Sequence, residues 1–546
     1  FQAGNIEQKS NATAVGERAG KNAQKALSVS IGSTAGEDSQ STGSVAVGYS
    51  AGGFYQGQQC VAIGMQAGVI SQGNNAVAVG YLAGITNQGT GSVAIGSNAG
   101  QHSQRGQAIA IGFQAGYTGQ RTGAIAIGAQ AGKYGQGTGA IAIGMNAGFT
   151  GQQENCIAIG TNAGATNQAS GAIAIGFEAG FTNQKQNAIA IGIQAGQFSQ
   201  ASGCIAIGFQ AGRTGQAGIG AIAIGSEAGE FNQGIECIAI GLLSGSSQQG
   251  AYSTAIGSFS AQQSQGFLAV AVGHRAGNTN QAYGAIASGY QAGAENQGSG
   301  AISTGVAIGD RAGTLAQGIH SIAIGSTAGS NTQGAYGIAI GRIAGQISQG
   351  PDAIAIGFSA GQTNQQTGAI AIGSYAGGAS AGSYSVCIGY QAGQTNAANS
   401  GVCIGYRAGA VGSGGGVLIG SNCGQTNAGV NTIAISGASN LEADNTNSFY
   451  VKPIAIDPTP SGNWLYTCYY NRVAYNAVTN KGAFSIANFS SLRKNKVIID
   501  EFNDTSSILD LQMYRYYYKN EVETQTMEYG YMADDLYAID SNLVAV

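Results

Sequence analysis

The chain has 546 residues, a net charge of −4 and only 8% charged residues, whereas 94 of its residues are glycine. Globular domains usually carry about a quarter charged residues, and no basic stripe is present here, so we expect no nucleic-acid partner. No apolar run reaches the ~20 residues that span a bilayer, so we also expect no membrane insertion.

A sixteen-residue repeat occupies most of the chain. It is anchored on the glycine that ends the phrase "AIAIG" or a variant of it, and it recurs in steps of sixteen from Gly16 to Gly208. It resumes at Gly225, reaches Gly309 after the extra residues of "AISTGVAIG", and finishes with Ser436 in the last slot. A fixed period over about 27 repeats indicates a solenoid in which each repeat forms one coil.

Each unit alternates small and β-branched residues, as in "AIAIGFQAGYTGQRTG". This period of two is typical of a short strand with one buried face, and sixteen residues suffice for two short strands and two tight turns. We predict an all-β fold, a parallel β-roll or β-solenoid. We expect the two isoleucines of each strand to point inward and the two alanines outward. The resulting alanine stripe would pack against other copies of the chain, which predicts a homo-oligomer.

A glutamine stands eight residues after each anchor as far as Gln365. Stacked identical amides can hydrogen-bond along a β-stack, so we predict a structural glutamine ladder, with a ligand-binding row of amides as the alternative. The glutamine is replaced in the last coils by Ala381, Ala397, Ser413 and Ala428. Representative ladder positions are Gln40, Gln120, Gln200, Gln297 and Gln365.

The phrase "AIAIGxxAG" resembles the head repeat of trimeric autotransporter adhesins, and the resemblance covers residues 1–436. It implies that this shaft is a left-handed β-roll that assembles as a homotrimer. Residues 437–490 are rich in aromatic residues and proline, and we expect a β-rich connector that caps the open end of the roll.

Residues 491–546 resemble the endosialidase-type intramolecular chaperone domain of phage and large-virus fibres, on "SSLRKNKVIIDEF" and on "GYMADDL" at Gly530–Leu536. The resemblance implies a small α+β domain, with a helix starting at "GYMADDL", which trimerises the fibre. It also implies self-cleavage at Ser491 with Lys496, although Leu492 occupies the position of the family's aspartate. An alignment starting at Ser490 would instead place Asn495 in the lysine slot.

Residues that could carry other chemistry are scattered. The three histidines lie in separate coils, so we expect no metal site and no cofactor, and six of the cysteines replace small residues of the repeat. Cys387 and Cys403 stack in adjacent coils, which leaves a disulfide open. Paired carboxylates for a polysaccharide-degrading tailspike are missing, and the threonine row that an ice-binding solenoid needs is interrupted.

These patterns predict a structural fibre protein and no enzyme, apart from the self-cleavage event. We expect a homotrimeric shaft that projects from a virion, with an extracellular or virion-surface location, and that contacts a host surface glycan or protein. A surface adhesin of a microbe is the alternative. Phe1 falls in mid-repeat and the chaperone-like module stops early at Val546, so we expect further sequence on both sides.

Overall fold

The computed structural model describes residues 2–216, 218–298, 304–437 and 441–452, and short strands at 474–475, 483–485, 513–516 and 528–531. The described residues form a parallel β-solenoid of about 27 coils of about sixteen residues, and they include no helix. The predicted fold class is therefore confirmed. The chain divides into two units, Phe1–Thr332 and Gln333–Val546.

The first unit contains one three-residue strand per coil from the "AIAIG" phrase. The strands are Thr13–Val15, Val29–Ile31, Val45–Val47, Val61–Ile63, Val77–Val79, Val93–Ile95, Ile109–Ile111, Ile125–Ile127, Ile141–Ile143, Ile157–Ile159, Ile173–Ile175, Ile189–Ile191, Ile205–Ile207, Ile222–Ile224, Ile238–Ile240, Thr254–Ile256, Val270–Val272, Ile286–Ser288, Val306–Ile308 and Ile322–Ile324.

A second face of the same unit carries shorter ladders that end on the repeat glutamine. Its strands are Asp38–Gln40, Phe54–Gln56, Ile70–Gln72, Thr86–Gln88, Thr214–Gln216, Phe231–Gln233, Ser247–Gln249, Gln263–Gln265, Thr279–Gln281 and Leu315–Gln317. The strand Asn331–Gln333 includes the residue at which the two units divide. Between Thr86 and Thr214 this face is held by single parallel bridges in each coil.

The coils stack in strict register, each residue beside its counterpart in the next coil. Ile125 pairs with Ile141 and Ala126 with Ala142. Backbone hydrogen bonds run in both axial directions, since Ile125 N donates to Ala140 O at 2.8 Å while Gly128 N donates to Ile111 O at 2.8 Å. Like residues therefore form columns along the stack, and a change in one slot affects only its own column and adjacent coils.

The side of the strand that faces the core is the opposite of the side that the sequence predicted. Ala124 and Ala126 are fully buried, whereas Ile125 and Ile127 are only half-buried. The alanine of the "AG" pair is also buried, and alanines from Ala35 to Ala239 form one core cluster. The prediction of inward isoleucines and an outward alanine stripe is therefore wrong.

The reason for this facing is the narrowness of the coil. In the coil anchored on Gly112, a Cβ added to Gly116 on one wall would lie 3.2 Å from the Cβ of Ala110 on the other. Two walls this close leave room for methyl groups but not for isoleucine side chains, because protein interiors are close-packed. The larger aliphatic side chains of the strand can only point outward.

The anchor glycine is required by both backbone conformation and close contact. Gly128 has φ +126°, and a Cβ there would lie 2.7 Å from the carbonyl oxygen of Gly144 in the next coil. Residues with a side chain rarely adopt such a conformation, and the neighbouring backbone cannot move aside. This explains why glycine fills the slot in nearly every coil.

The second unit continues the same parallel pairing within itself. Its parallel strands are Ile338–Ile340, Ile354–Ile356, Ile370–Ile372, Val386–Ile388, Val402–Ile404, Val417–Gly420, Ile433–Ser436 and Phe449–Lys452. The strand Ile347–Gln349 lies on the second face, whose strands end on the repeat glutamine. The pairing of Ile433–Ser436 with Phe449–Lys452 carries the coil geometry beyond residue 436. Tyr450, which is 3% exposed, takes the core slot that alanine fills elsewhere.

The remaining strands of the second unit pair antiparallel. Ala483–Ser485 lies between Phe449–Lys452 and Ala474–Tyr475, and Met513–Tyr516 pairs with Glu528–Tyr531. Gly530 and Tyr531, the first two residues of "GYMADDL", therefore belong to a strand. The rest of the predicted helix start lies outside the described residues.

Replacing Gly128 with alanine should unfold its coil locally, at a cost of at least about 3 kcal/mol, because strain and a backbone clash combine. Gly123→Ala is the matched control. Gly123 also has a positive φ, +67°, but a Cβ there would meet nothing within 4 Å, so only about 1–2 kcal/mol is expected. Hydrogen exchange of amides in residues 109–159 measures both, and equal protection in the two variants would contradict the role of the close contact.

Candidate functional site

The repeat glutamine lies inside the coil and joins its two walls. Gln120 is fully buried, and its Nε2 donates to the carbonyl oxygen of Ile109 at 2.7 Å and to that of Ala124 at 3.0 Å. Nε2 also lies 3.1 Å from Oε1 of Gln136, the equivalent residue of the next coil. One amide therefore hydrogen-bonds to a strand carbonyl of its own coil, and to a carbonyl oxygen and a glutamine side chain of the next coil.

The five representative ladder positions share this arrangement. In each of them Nε2 donates to a strand carbonyl eleven residues earlier, at 2.7 to 2.9 Å. Each side chain is at most 1% exposed; the residues are Gln40, Gln120, Gln200, Gln297 and Gln365. Because the amides are sealed from solvent, they are not available to an external ligand.

Glutamine side chains also bond to one another along continuous segments. One segment runs from Gln152 to Gln200 and another from Gln216 to Gln297, with Nε2–Oε1 distances of 3.0 to 3.2 Å. In every such pair the earlier coil donates and the later coil accepts. The glycine of the "AG" pair makes room for the amide, since a Cβ on Gly132 would lie 2.7 Å from Oε1 of Gln136.

In three of the last four coils the missing glutamine is accompanied by a larger residue across the core, whereas in the first of them Ala381 faces Ala371. Where Ala397 or Ser413 stands in the glutamine slot, Cys387 or Cys403 replaces the facing alanine of the same coil. In the next coil the fully buried Leu418 faces Ala428. In these three coils a smaller residue on one wall is matched by a larger residue on the other, as a close-packed interior requires.

The described cysteines are buried, free thiols. Cys387 and Cys403 are direct partners in adjacent strands, and they are not joined by a disulfide. Hydrogen bonding to Cys403, followed by burial, raises the pKa of the Cys387 thiol. Burial raises the pKa of the Cys237 thiol to about 12. A raised pKa keeps a thiol protonated and unreactive near neutral pH.

The outer face of the main strands forms two apolar columns. The isoleucines and valines that precede the anchor glycine are half-exposed, for example Ile31 at 40% and Ile95 at 38%. The residue after the anchor glycine forms the second column, which contains exposed aromatic and methionine side chains such as Phe113 and Met145. We call the two columns together the apolar face. Sequence reasoning missed it because it placed isoleucine inside.

Charged side chains are missing from the apolar face over a long stretch. Both columns, together with the first residue of each strand, are free of Asp, Glu, Lys and Arg from Val29 to Phe209. Solubility along these coils must come from the polar residues of the turns. An apolar surface of this extent marks a site of association in most soluble proteins.

A groove of the early coils lies where the short strands that end on the repeat glutamine meet the turns that follow them. It has a volume of about 600 Å³, and Gly73 and Gly89 contribute no side chain to it. We call it the corner groove. Besides the ladder glutamines Gln72, Gln88 and Gln104, the side chains that line it are those of Tyr55, Ser71, Asn87, Thr90, Ser103 and Arg105. A glycine after the ladder glutamine does not single out this groove in the sequence, because the same pattern recurs in consecutive coils at Gly234, Gly250 and Gly266.

Within the described residues, the other candidate side chains do not come together in a metal-binding site. Within the described part of the chain, no three His, Cys, Asp or Glu side chains are placed to hold a metal ion. His102 contacts Thr86 Oγ1 at 2.9 Å, and its ring packs edge-on against Tyr117. Ser491 and Lys496 lie outside the described residues. The described segments also contain no helix capable of crossing a bilayer.

Comparison with protein-family models, with curated proteins and with solved structures gives no match for this chain.

Replacing Gln365 with alanine should destabilise its coil by about 2–4 kcal/mol, because two carbonyl oxygens each lose one hydrogen bond and a cavity opens. Gln366→Ala is the matched control at the next residue, which is exposed, and it should change stability by less than about 0.5 kcal/mol. Local hydrogen exchange in residues 354–373 compares them. An equal effect of the two substitutions would show that the buried amide contributes nothing.

Alkaline pH should destabilise the fold through its buried thiols. The ordinary pKa of 9.0 is raised for Cys60, Cys156 and Cys204 by burial, and for Cys237 to about 12. Unfolded thiols therefore lose protons first, so this stability is complete below about pH 9 and is lost as the pH rises toward 12.

The test is to replace these four cysteines with alanine, which other coils carry in the same slot. The variant should lose less stability than the parent chain between about pH 8 and about pH 10.5 in denaturant titrations. Equal losses in the two proteins would rule out the thiols as the cause.

Proposed function

We propose that this chain is the shaft of a homotrimeric fibre that projects from a virion and contacts a host surface. The β-solenoid is the part of this proposal that the structure supplies. The observation that carries the proposal further is the apolar face. It is too extensive and too free of charge to remain exposed to water on an isolated chain.

Another copy of this chain is the partner that fits the apolar face best. The columns repeat once per coil, at about 4.8 Å, and an identical chain presents the same spacing. Contacts would then recur in every coil, whereas a partner without the repeat could match only a few. From Val29 to Phe209 the absence of charge from the columns also removes any electrostatic attraction to a different protein.

The number three and the virion setting rest on the two sequence resemblances. A trimer would bring three apolar faces together around one axis and leave the turns at the surface. The chaperone-like residues 491–546 would serve to align three chains before the shafts assemble. We propose an extracellular or virion-surface location and no enzymatic activity for the shaft itself.

The mass of the purified assembly in native conditions tests this function, and the expected result is three chains. The double variant Ile127→Glu/Ile143→Glu should dissociate it, because both side chains lie on the apolar face and leave the alanine core untouched. The control Thr122→Glu/Thr138→Glu adds the same charge at exposed turn positions and should leave the mass unchanged.

A stable monomer of the parent chain would contradict the proposal. A dimer would retain the role of the apolar face and refute the trimer. Circular dichroism of the charged variants shows whether the coils themselves remain folded, which separates loss of assembly from loss of fold.

A further inference from the structure

We propose that the corner groove binds a carboxylated oligosaccharide. This inference rests on the proposed function for its biological setting, since it names the chemistry that a surface fibre would recognise. Its physical basis is independent of assembly, because the residues of the corner groove belong to the short strands that end on the repeat glutamine and to the turns that follow them, and none belongs to the apolar face.

The groove combines the groups that recognise sugars. Tyr55 is 63% exposed at one end and offers an aromatic ring on which a sugar can stack. Exposed side chains of Asn87, Thr90 and Ser103 follow along the wall and provide amide and hydroxyl groups for sugar hydroxyls. The mixture of one apolar platform and several convergent polar groups is typical of a small-ligand site.

Backbone geometry holds these side chains outward. Tyr55, Ser71, Asn87 and Ser103 occupy the same slot in successive coils, and all have φ between +54° and +57°. A positive φ is unusual for residues with a side chain, and for a bulky residue such as tyrosine it marks a constrained position. The buried glutamine that follows each of them fixes the turn from inside.

Charge indicates an acidic ligand. No Asp or Glu occurs between Asp38 and Glu154, whereas the same stretch contains Arg105, Arg121 and Lys133. Arg121 Nη1 lies 3.8 Å from Glu154 Oε1, but Arg105 has no acidic partner within the described residues. Its guanidinium group is therefore available to a carboxylate, which arginine can bind through two parallel hydrogen bonds.

The dimensions favour an oligosaccharide over a single sugar. Tyr55 and Arg105 lie three coils apart, which corresponds to about 14 Å along the stack. A ligand that reaches both must contain several linked sugars, and the volume of about 600 Å³ is of the size that small-molecule sites have.

An acidic peptide is the competing ligand, and the groove floor disfavours it. Gly73 N donates to Gln88 O at 2.6 Å and Gly89 N to Gln104 O at 2.7 Å, so these backbone donors are already used between coils. A peptide strand gains most of its affinity from free backbone groups at a sheet edge, which this surface lacks. Sugar hydroxyls need only the side chains.

The experiment is a glycan array that holds uronic- and sialic-acid oligosaccharides, their carboxyl-reduced counterparts and a polyglutamate peptide, probed with the assembled protein. We expect binding to an acidic oligosaccharide that carboxyl reduction abolishes. Arg105→Gln and Tyr55→Ala should each weaken it at least tenfold, and Tyr55→Phe should retain it. Arg121→Gln is the matched control, one coil further in the same slot, and should bind as the parent chain does.

Lack of binding to every acidic oligosaccharide would overturn the proposal, as would equal binding by Arg105→Gln or preference for the peptide. The native mass of each variant is measured alongside. A variant that keeps the parent mass but loses the sugar supports the groove, whereas sugar binding by a monomeric parent chain would support the groove and refute the trimeric fibre.

Discussion

The distance between the two walls of each coil is the constraint on which the structure depends. As far as Gln365 one buried side chain spans this gap: the glutamine whose Nε2 bonds to a strand carbonyl of its own coil and, in most coils, to a carbonyl of the next. A gap of this width holds alanine methyl groups, one amide and little else. The isoleucines must therefore face outward, and the chain acquires an apolar face that a wider solenoid would have buried.

The sequence was sufficient to predict the period, the parallel stacking and the slot of the glutamine, because each of these depends only on spacing. The direction of the strand faces could not be obtained from alternation, since a period of two is the same whichever face is inside. The usual preference for burying the larger residue gave the wrong answer. A better signal was the restriction of the alanine slots to small residues: Ser44, Cys60 and Cys156 replace the first alanine, and no large residue fills either alanine slot before Leu418, which replaces the second.

Leu418 also shows that different residues can fill the core slots when the residue on the facing wall changes with them. Glutamine with alanine, alanine with cysteine, and alanine with leucine are three ways of filling the same cross-section. The glutamine links neighbouring coils through its side-chain amide, whereas the later coils are linked by a thiol hydrogen bond between Cys387 and Cys403 and by one from Ala398 N to Ser413 Oγ. The corner groove was equally hard to predict, because residues from three or more coils line it and they come together only once the coils are stacked. Its charge asymmetry, in contrast, was readable from the printed sequence.

The one-way order of the amide bonds has an electrical consequence. Backbone hydrogen bonds point both ways along the stack, so their dipoles largely cancel between coils. The side-chain amides from Gln216 to Gln297 all donate toward the later coil, and dipoles aligned in series polarise one another. The amide column of this stretch therefore has a positive and a negative end, with the positive end toward the C-terminus. Two identical chains laid side by side can distinguish parallel from antiparallel alignment by this property alone.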